Sequence, residues 1–335
     1  MSSDFIWRDA GRTVVLRQQG IAQAVQLLGE HGFSSFELVS TPRALLDAPE
    51  LATAATAVHE VGVGQVPDLA ADLLDQVGSR SQVALGGGRT IDVAKAIASV
   101  TGARVAALPT TMSGAEMTGI HRLPAGAEDR VQALVRPALV IADPAAMTSH
   151  PEAKLRASSM NALAHGADSL YTPFANPVSE MTALRGAELI ATALDQPREE
   201  RDVAALALGS LLCGYAIDSA MFSLHHVICQ SLVRICDCPH AETNAAILPR
   251  ALALLVDRAP DSMARLAAAI GTSPEEIEVR VLQLGGNPAG LGAAGADRAK
   301  LDQALDAMLQ RPELAFVPGP ALTKGDLAGL VERAW

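Results

Sequence analysis

Aromatic residues are scarce in this chain, only 3% of 335 residues, so alanine, leucine and valine must supply most of the packing. Lysine is scarcer still: Lys95, Lys154, Lys300 and Lys324 are the whole complement, and arginine carries the rest of the basic charge. Together the basic residues number 26 against 37 acidic ones, for a net charge of −11. An anionic surface repels polyphosphates at long range, which argues against nucleic acid and against an anionic membrane as partners. Charges or glycines interrupt the apolar runs before the ~18 residues that a membrane span requires, so no transmembrane helix is expected. The opening Met1-Ser2-Ser3-Asp4 lacks the basic segment and apolar run of a secretory signal. The cysteines, Cys213, Cys229, Cys236 and Cys238, suggest no disulfide framework at these spacings. A cytoplasmic protein is the expectation.

What is present is ample apolar material: hydrophobic residues make up 49% and charged ones 19%, enough for a sizeable core and too little charge for disorder. At ~100–200 residues per domain, the length suggests two domains. The first half alternates strand-like runs with helical segments. Strands are expected at 13–16, 36–39, 82–85, 105–108 and 139–141, and helices at 21–31, 67–77 and 91–100, with an apolar, Ala-rich stretch over 51–60. Such alternation predicts a parallel sheet with helices on both faces. After Pro151 the strand-like runs vanish, and helices are predicted over 154–171, 178–194, 200–221, 223–235 and 241–257, punctuated by Pro173, Pro177, Pro197 and Pro239. The reading is an α/β domain over 1–150 and an all-helical domain over 151–335, with a cleft between them.

Three constellations could carry chemistry. In Leu85-Gly86-Gly87-Gly88-Arg89-Thr90-Ile91-Asp92-Val93-Ala94-Lys95, a strand runs into three glycines and a helix begins. Backbone N–H groups and the helix dipole can meet a pyrophosphate there, and glycine lets the backbone approach closely. The pattern is neither G-x-G-x-x-G nor a P-loop, and a tight turn is the plainer reading. In the second, Leu108-Pro109-Thr110-Thr111-Met112-Ser113-Gly114-Ala115-Glu116-Met117-Thr118, four hydroxyls and a glycine gather at the C-terminal end of a strand, where open α/β sheets bind ligands; a hydroxyl-capped loop is the plainer alternative. The third is a histidine set. Asn161 and His165 share a helix face at i and i+4, and His226 and His240 lie further along. Imidazoles on different helices can converge on a divalent metal, although a lone histidine on an apolar helix is more often a core residue. His31, His59, His121, His150 and His225 receive that plainer reading, and the Cys236-x-Cys238-x-His240 spacing is discounted as a chelate.

The order of glycine turn, Pro-Thr-Thr loop, Asn-x-x-x-His helix and His…Pro-His pair resembles the iron-containing alcohol dehydrogenase superfamily. Within it, Met160-Asn161-Ala162-Leu163-Ala164-His165, Leu224-His225-His226 and Cys238-Pro239-His240-Ala241-Glu242-Thr243 are most similar to the maleylacetate reductase branch. The likeness runs from the Phe5 segment to Trp335. It implies a Rossmann-like dinucleotide-binding domain followed by an all-α domain, the dehydroquinate synthase-like fold. It also implies NADH or NADPH at Thr41, Gly86, Gly87, Gly88, Arg89, Thr110 and Thr111.

In metal-dependent members, the ligands would fall on Asn161, His165, His226 and His240. Asn161 there removes the only anionic ligand, so a divalent metal such as Fe or Zn is possible but not expected. His165, His226 and His240 are then expected to bind a carboxylate- or carbonyl-bearing substrate and supply a proton, with Glu242 orienting an imidazole. The implied activity is reduction of an unsaturated oxo-acid, and the implied assembly is a homodimer.

Departures from the pattern gather around the cofactor. Leu16-Arg17-Gln18-Gln19-Gly20 replaces a Phe-Gly-x-Gly turn, and Arg89 a Ser or Thr. Gly126-Ala127-Glu128-Asp129-Arg130 stands where a lysine is expected, Ala115 replaces Ser, and Gln230 replaces His. These keep open a non-redox homologue (isomerase, dehydratase or cyclase) in specialised metabolism, a metal-dependent alcohol dehydrogenase, and a catalytically silent subunit that the retained histidines argue against.

Overall fold

A computed structural model describes residues 11–78 and 81–335. The opening residues read for a signal, and the Phe5 segment of the resemblance, lie outside the described residues. The described chain forms two compact units that divide between Ser149 and His150.

The first unit contains strands β1 (Thr13–Leu16), β2 (Glu37–Ser40), β3 (Ala57–Glu60), β4 (Ser81–Gly86), β5 (Arg104–Pro109) and β6 (Leu139–Ala142). Its helices are α1 (Ala24–Glu30), α2 (Pro42–Leu46), α3 (Pro49–Ala54), α4 (Val66–Leu74), α5 (Gly88–Thr101) and α6 (Pro144–Met147). The strands pair in parallel in the order β1-β6-β5-β4-β2-β3. Parallel neighbours need crossovers, and the helices supply them.

Side chains alternate across a strand, so each central strand feeds two cores. Val83 and Leu85 of β4 and Leu108 of β5 pack with Leu27, Leu28 and Leu51, whereas Ala84 and Ala107 pack with Ile91, Ile97 and Leu74. Both faces are covered, as a parallel sheet requires. β3, left unassigned within the Ala-rich stretch, is an edge strand whose alternate residues are exposed, which is why its pattern lacks an apolar run.

The chain leaves β2 for β3 on one side and β4 for β5 on the other. The switch point, where open α/β sheets bind ligands, therefore lies at the C-terminal ends of β2 and β4. Ser40 pairs in register with Leu85, and its Oγ donates to the Leu85 carbonyl at 2.8 Å. Thr41 and Gly86 thus leave the sheet as neighbours.

The second unit contains α7 (Glu152–Asp168), α8 (Pro177–Asp195), α9 (Val203–Ala220), α10 (Leu224–Ile235), α11 (His240–Arg258), α12 (Pro260–Ala269), α13 (Ile277–Leu284), α14 (Leu301–Leu309) and α15 (Lys324–Glu332). α7 packs against α8, α9 and α11, and every residue over 159–170 is buried. Contrary to expectation, α9 is long and apolar enough by composition to span a membrane. It is a core helix here, with 56% of it buried. Its glycines do not interrupt it, because they serve helix contact: a Cβ on Gly209 would meet the Gly186 carbonyl at 2.8 Å, and one on Gly186 would meet Cys213 Sγ at 2.6 Å.

Replacing Gly186 with Ala therefore forces α8 and α9 apart and is expected to destabilise by about 1–3 kcal/mol. Gly329→Ala on α15, where a Cβ meets nothing within 4 Å, should stabilise by about 0.5–1 kcal/mol. Urea midpoints followed by far-ultraviolet circular dichroism measure both.

Candidate active site

The glycine turn owes its shape to crowding. Gly86 has φ 155°, a conformation that side-chain-bearing residues rarely adopt, and a Cβ there would sit 2.7 Å from Thr90 Oγ1. A Cβ on Gly87 would press on Thr111 Cγ2 at 3.2 Å, and one on Gly88 on Ser113 Cβ at 2.8 Å. The hydroxyl loop thus closes directly over the turn, and Thr110 N–H donates to the Gly86 carbonyl at 3.0 Å. No side chain caps α5, and its first turn carries no acidic residue. Its first N–H groups and dipole form an anion-binding end that Arg89, exposed on that turn, reinforces. Thr41 caps α2 instead, its Oγ1 accepting from Ala44 N–H at 3.3 Å.

A buried cation secures the hydroxyl loop. Lys95 is fully buried on α5, and its Nζ donates to Asp92 Oδ1, the Ala115 carbonyl and the Ile120 carbonyl, each at 2.9 Å. Those bonds use all three ammonium protons. Glu116 beside it is also fully buried, and burial pushes its carboxyl up to about 7. Lys95 and Glu116 both fall within the glycine-turn and hydroxyl-loop motifs of the sequence, which by themselves assign neither side chain a role. Glu128 and Asp129 are exposed on a short 3-10 turn, away from any buried role.

The helical unit brings its histidines together. His165 on α7 and His226 on α10 stack, their ring centroids 4.8 Å apart and their planes within 14°. His225 meets His226 edge-on at 5.0 Å, and Phe222 packs against His226 at 5.8 Å. His226 Nδ1 lies 2.7 Å from Asp168 Oδ2. Asp168, one turn beyond His165 on α7, also accepts from the Tyr171 hydroxyl and from Ser223 N–H at 3.0 Å. Burial alone would raise its carboxyl, but these donors hold it down at about 2. Met221 just ahead has φ 63° and ψ 172°, a conformation nearly reserved for glycine, and this turn aims Ser223 N–H at Asp168.

His225 is a core histidine as expected, its Nε2 paired with Asn244 Oδ1 at 2.8 Å. His240 opens α11 and is exposed, yet its charge adds to the field that disfavours protonation of His165 and His225. Asn161 is buried one turn before His165. The carboxylate that orients an imidazole is Asp168 rather than Glu242, which is half-buried on the first turn of α11 and bonds no imidazole among the described residues. The i, i+3 spacing of His165 and Asp168 on one helix was the available signal.

A metal does not fit this donor set. Asn161, His165, His226 and His240 include no anion, and the nearby carboxylate of Asp168 is engaged by His226 Nδ1, the Tyr171 hydroxyl and Ser223 N–H. Lone pairs of two parallel imidazoles run side by side, whereas ligation requires them to converge. Among the described residues, no three His, Cys, Asp or Glu side chains form a group able to hold a metal.

Burial holds His165 well below the usual imidazole range and His225 at about 3, the neighbouring His226 adding to both. An unfolded chain takes up those protons near pH 6.5 and the folded one does not, so stability is complete above about 6.5 and falls on acidification. His225→Gln should remove about 1.4 kcal/mol per pH unit from the slope of unfolding free energy between pH 6 and 4. Urea unfolding across that range tests this, an unchanged slope being the contrary result.

Comparison with known proteins agrees with this architecture. The Fe-containing alcohol dehydrogenase family, C-terminal, matches residues 156–310. Maleylacetate reductase of Burkholderia cepacia is 31% identical over 338 residues, covering 96% of this chain and 95% of that protein. The enzyme of the same name from Delftia acidovorans is 32% identical over 283 residues, covering 81% and 78%. The crystal structure of maleylacetate reductase from Rhizobium sp. strain MTP-10005 superposes with a TM-score of 0.85 at 28% identity, over 99% of this chain and 98% of that one. The chain belongs to the iron-containing alcohol dehydrogenase family, in the branch of the maleylacetate reductases.

Proposed function

We propose that this chain is an NAD(P)H-dependent reductase of an unsaturated oxo-acid of the maleylacetate type, a small carboxylate- and carbonyl-bearing substrate. One observation carries the reading: Nδ1 of His165 and Nε2 of His226 are buried with no hydrogen-bond partner among the described residues. Buried polar atoms left without partners are costly unless a ligand meets them. The uncapped glycine turn at the sheet's switch point supports a dinucleotide in the same chain. The same proposal takes the protein as a cytoplasmic homodimer.

Bound NADH or NADPH supplies a hydride for an electron-poor alkene carbon. Backbone N–H groups of Gly86, Gly87 and Gly88 would hold the cofactor's pyrophosphate, and Thr110, Thr111 and Thr41 would contact the rest of it. Arg89 offers a guanidinium to phosphate, which suits NADPH. In the helical unit, His165 and His240 position the substrate's oxygens and stabilise the enolate that follows hydride addition. His226 delivers a proton to the adjacent carbon, so hydride and proton together saturate the double bond.

Fluorescence titration is expected to show saturable NADPH binding at about micromolar concentration, weakened about tenfold or more by Gly88→Ala, whose Cβ would meet Ser113. Cofactor oxidation with an unsaturated oxo-acid should survive a chelator unchanged. Absence of binding up to millimolar NADH and NADPH would sink the reductase, and turnover of an oxo-acid without cofactor would establish the non-redox alternative.

A further inference from the structure

Three hydrogen bonds converge on one buried carboxylate. Asp168 Oδ2 lies 2.7 Å from His226 Nδ1 and accepts Ser223 N–H at 3.0 Å, while Oδ1 accepts the Tyr171 hydroxyl. Tyr171 in turn accepts Leu224 N–H at 3.1 Å, so the carboxylate is held from α7 and from the start of α10 independently of the imidazole. An ionised carboxylate only accepts hydrogen bonds, so the hydrogen between Asp168 and His226 belongs to Nδ1. Exchange with substrate is thereby left to Nε2, which is buried, has no protein partner and sits beside the Phe222 ring.

The stacked neighbour is treated differently. His165 lies 4.8 Å from His226, too close for both rings to carry charge in a buried site, and its own Nδ1 meets no carboxylate. Of the two rings, Asp168 faces His226 through Nδ1 and does not face His165.

We propose that Asp168 is a positioning residue that fixes His226 as its Nδ1–H tautomer and so makes Nε2 of His226 the proton-delivering atom, with His165 the neutral member of the pair. The assignment rests on the reductase reading for the use of the proton, and on the hydrogen bonds alone for its location. In the reaction, the Nε2–H bond breaks, its electron pair stays on the ring, and the proton bonds the enolate carbon. The imidazole then regains a proton from solvent with Asp168 still ionised.

Two readouts separate this role from a merely structural one. In the wild-type protein, nitrogen-15 spectra, with the His226 signals identified through their loss in His226→Gln, should show Nδ1 protonated and Nε2 bare once the ring is neutral. Asp168→Asn should lower kcat about 100-fold or more while leaving NADPH affinity and the oxo-acid KM within about threefold. A protonated Nε2 on the neutral wild-type ring, or an Asp168→Asn enzyme that keeps kcat within twofold, overturns the proposal. If the asparagine chain does not fold, the wild-type spectrum decides. If the wild-type protein reduces no oxo-acid, the reductase reading fails while the spectrum still tests the tautomer.

Discussion

A carboxylate deprived of water must be met by hydrogen-bond donors, and the helical unit is organised around meeting the one on Asp168. α7 places Asp168 and His165 one turn apart in its C-terminal half, where every residue is buried. The left-handed Met221 then swings the chain from α9 into α10, so that Ser223 N–H, the Tyr171 hydroxyl and His226 all converge on the same group. Removing the carboxylate would leave these donors buried without acceptors. Stability and chemistry are thus linked at one residue, because the hydrogen bonds that justify burying Asp168 also set the tautomer of His226.

The α/β unit solves a related problem by subtraction. Gly86, Gly87 and Gly88 remove side chains where the hydroxyl loop presses on the turn, and the N-terminus of α5 is left without a cap. Lys95, with all its protons committed, fixes that loop from beneath. Burial raises the carboxyl of fully buried Glu116 next to it to about 7, so near neutral pH the uncharged form is substantially populated, which lowers the cost of keeping a carboxyl there. One unit therefore exposes donors to an anion, and the other conceals an anion behind donors.

Much of this was legible in the residues. Runs such as Gln82-Val83-Ala84-Leu85 announce buried parallel strands, and the spacing of Asn161 and His165 places both on one face of a helix. β3 escaped because an edge strand needs no continuous apolar run, and Ala57-Val58-His59-Glu60 has none. The helix expected over 200–221 is α9, but that its glycines let two helices touch depends on Gly186 of α8, which lies far from them in the sequence. Asp168 escaped for a different reason. An aspartate on an apolar helix reads as a solvent-facing residue, and the partner that explains it lies 58 positions downstream. Glu242, two residues from His240, was the nearer candidate, but closeness along the chain does not put a carboxylate on a ring nitrogen.

The central claim is that hydride and proton reach one substrate from separate sources, the second being an imidazole that works without a metal. Isotope tracing on metal-stripped protein addresses it directly. With cofactor deuterated at the transferable position and the reaction run in ordinary water, the saturated oxo-acid should carry one deuterium on a single carbon. With unlabelled cofactor in heavy water, the deuterium delivered in the reduction should appear on the adjacent carbon instead. Product lacking cofactor-derived deuterium, or product formed only after metal is restored, would contradict the account.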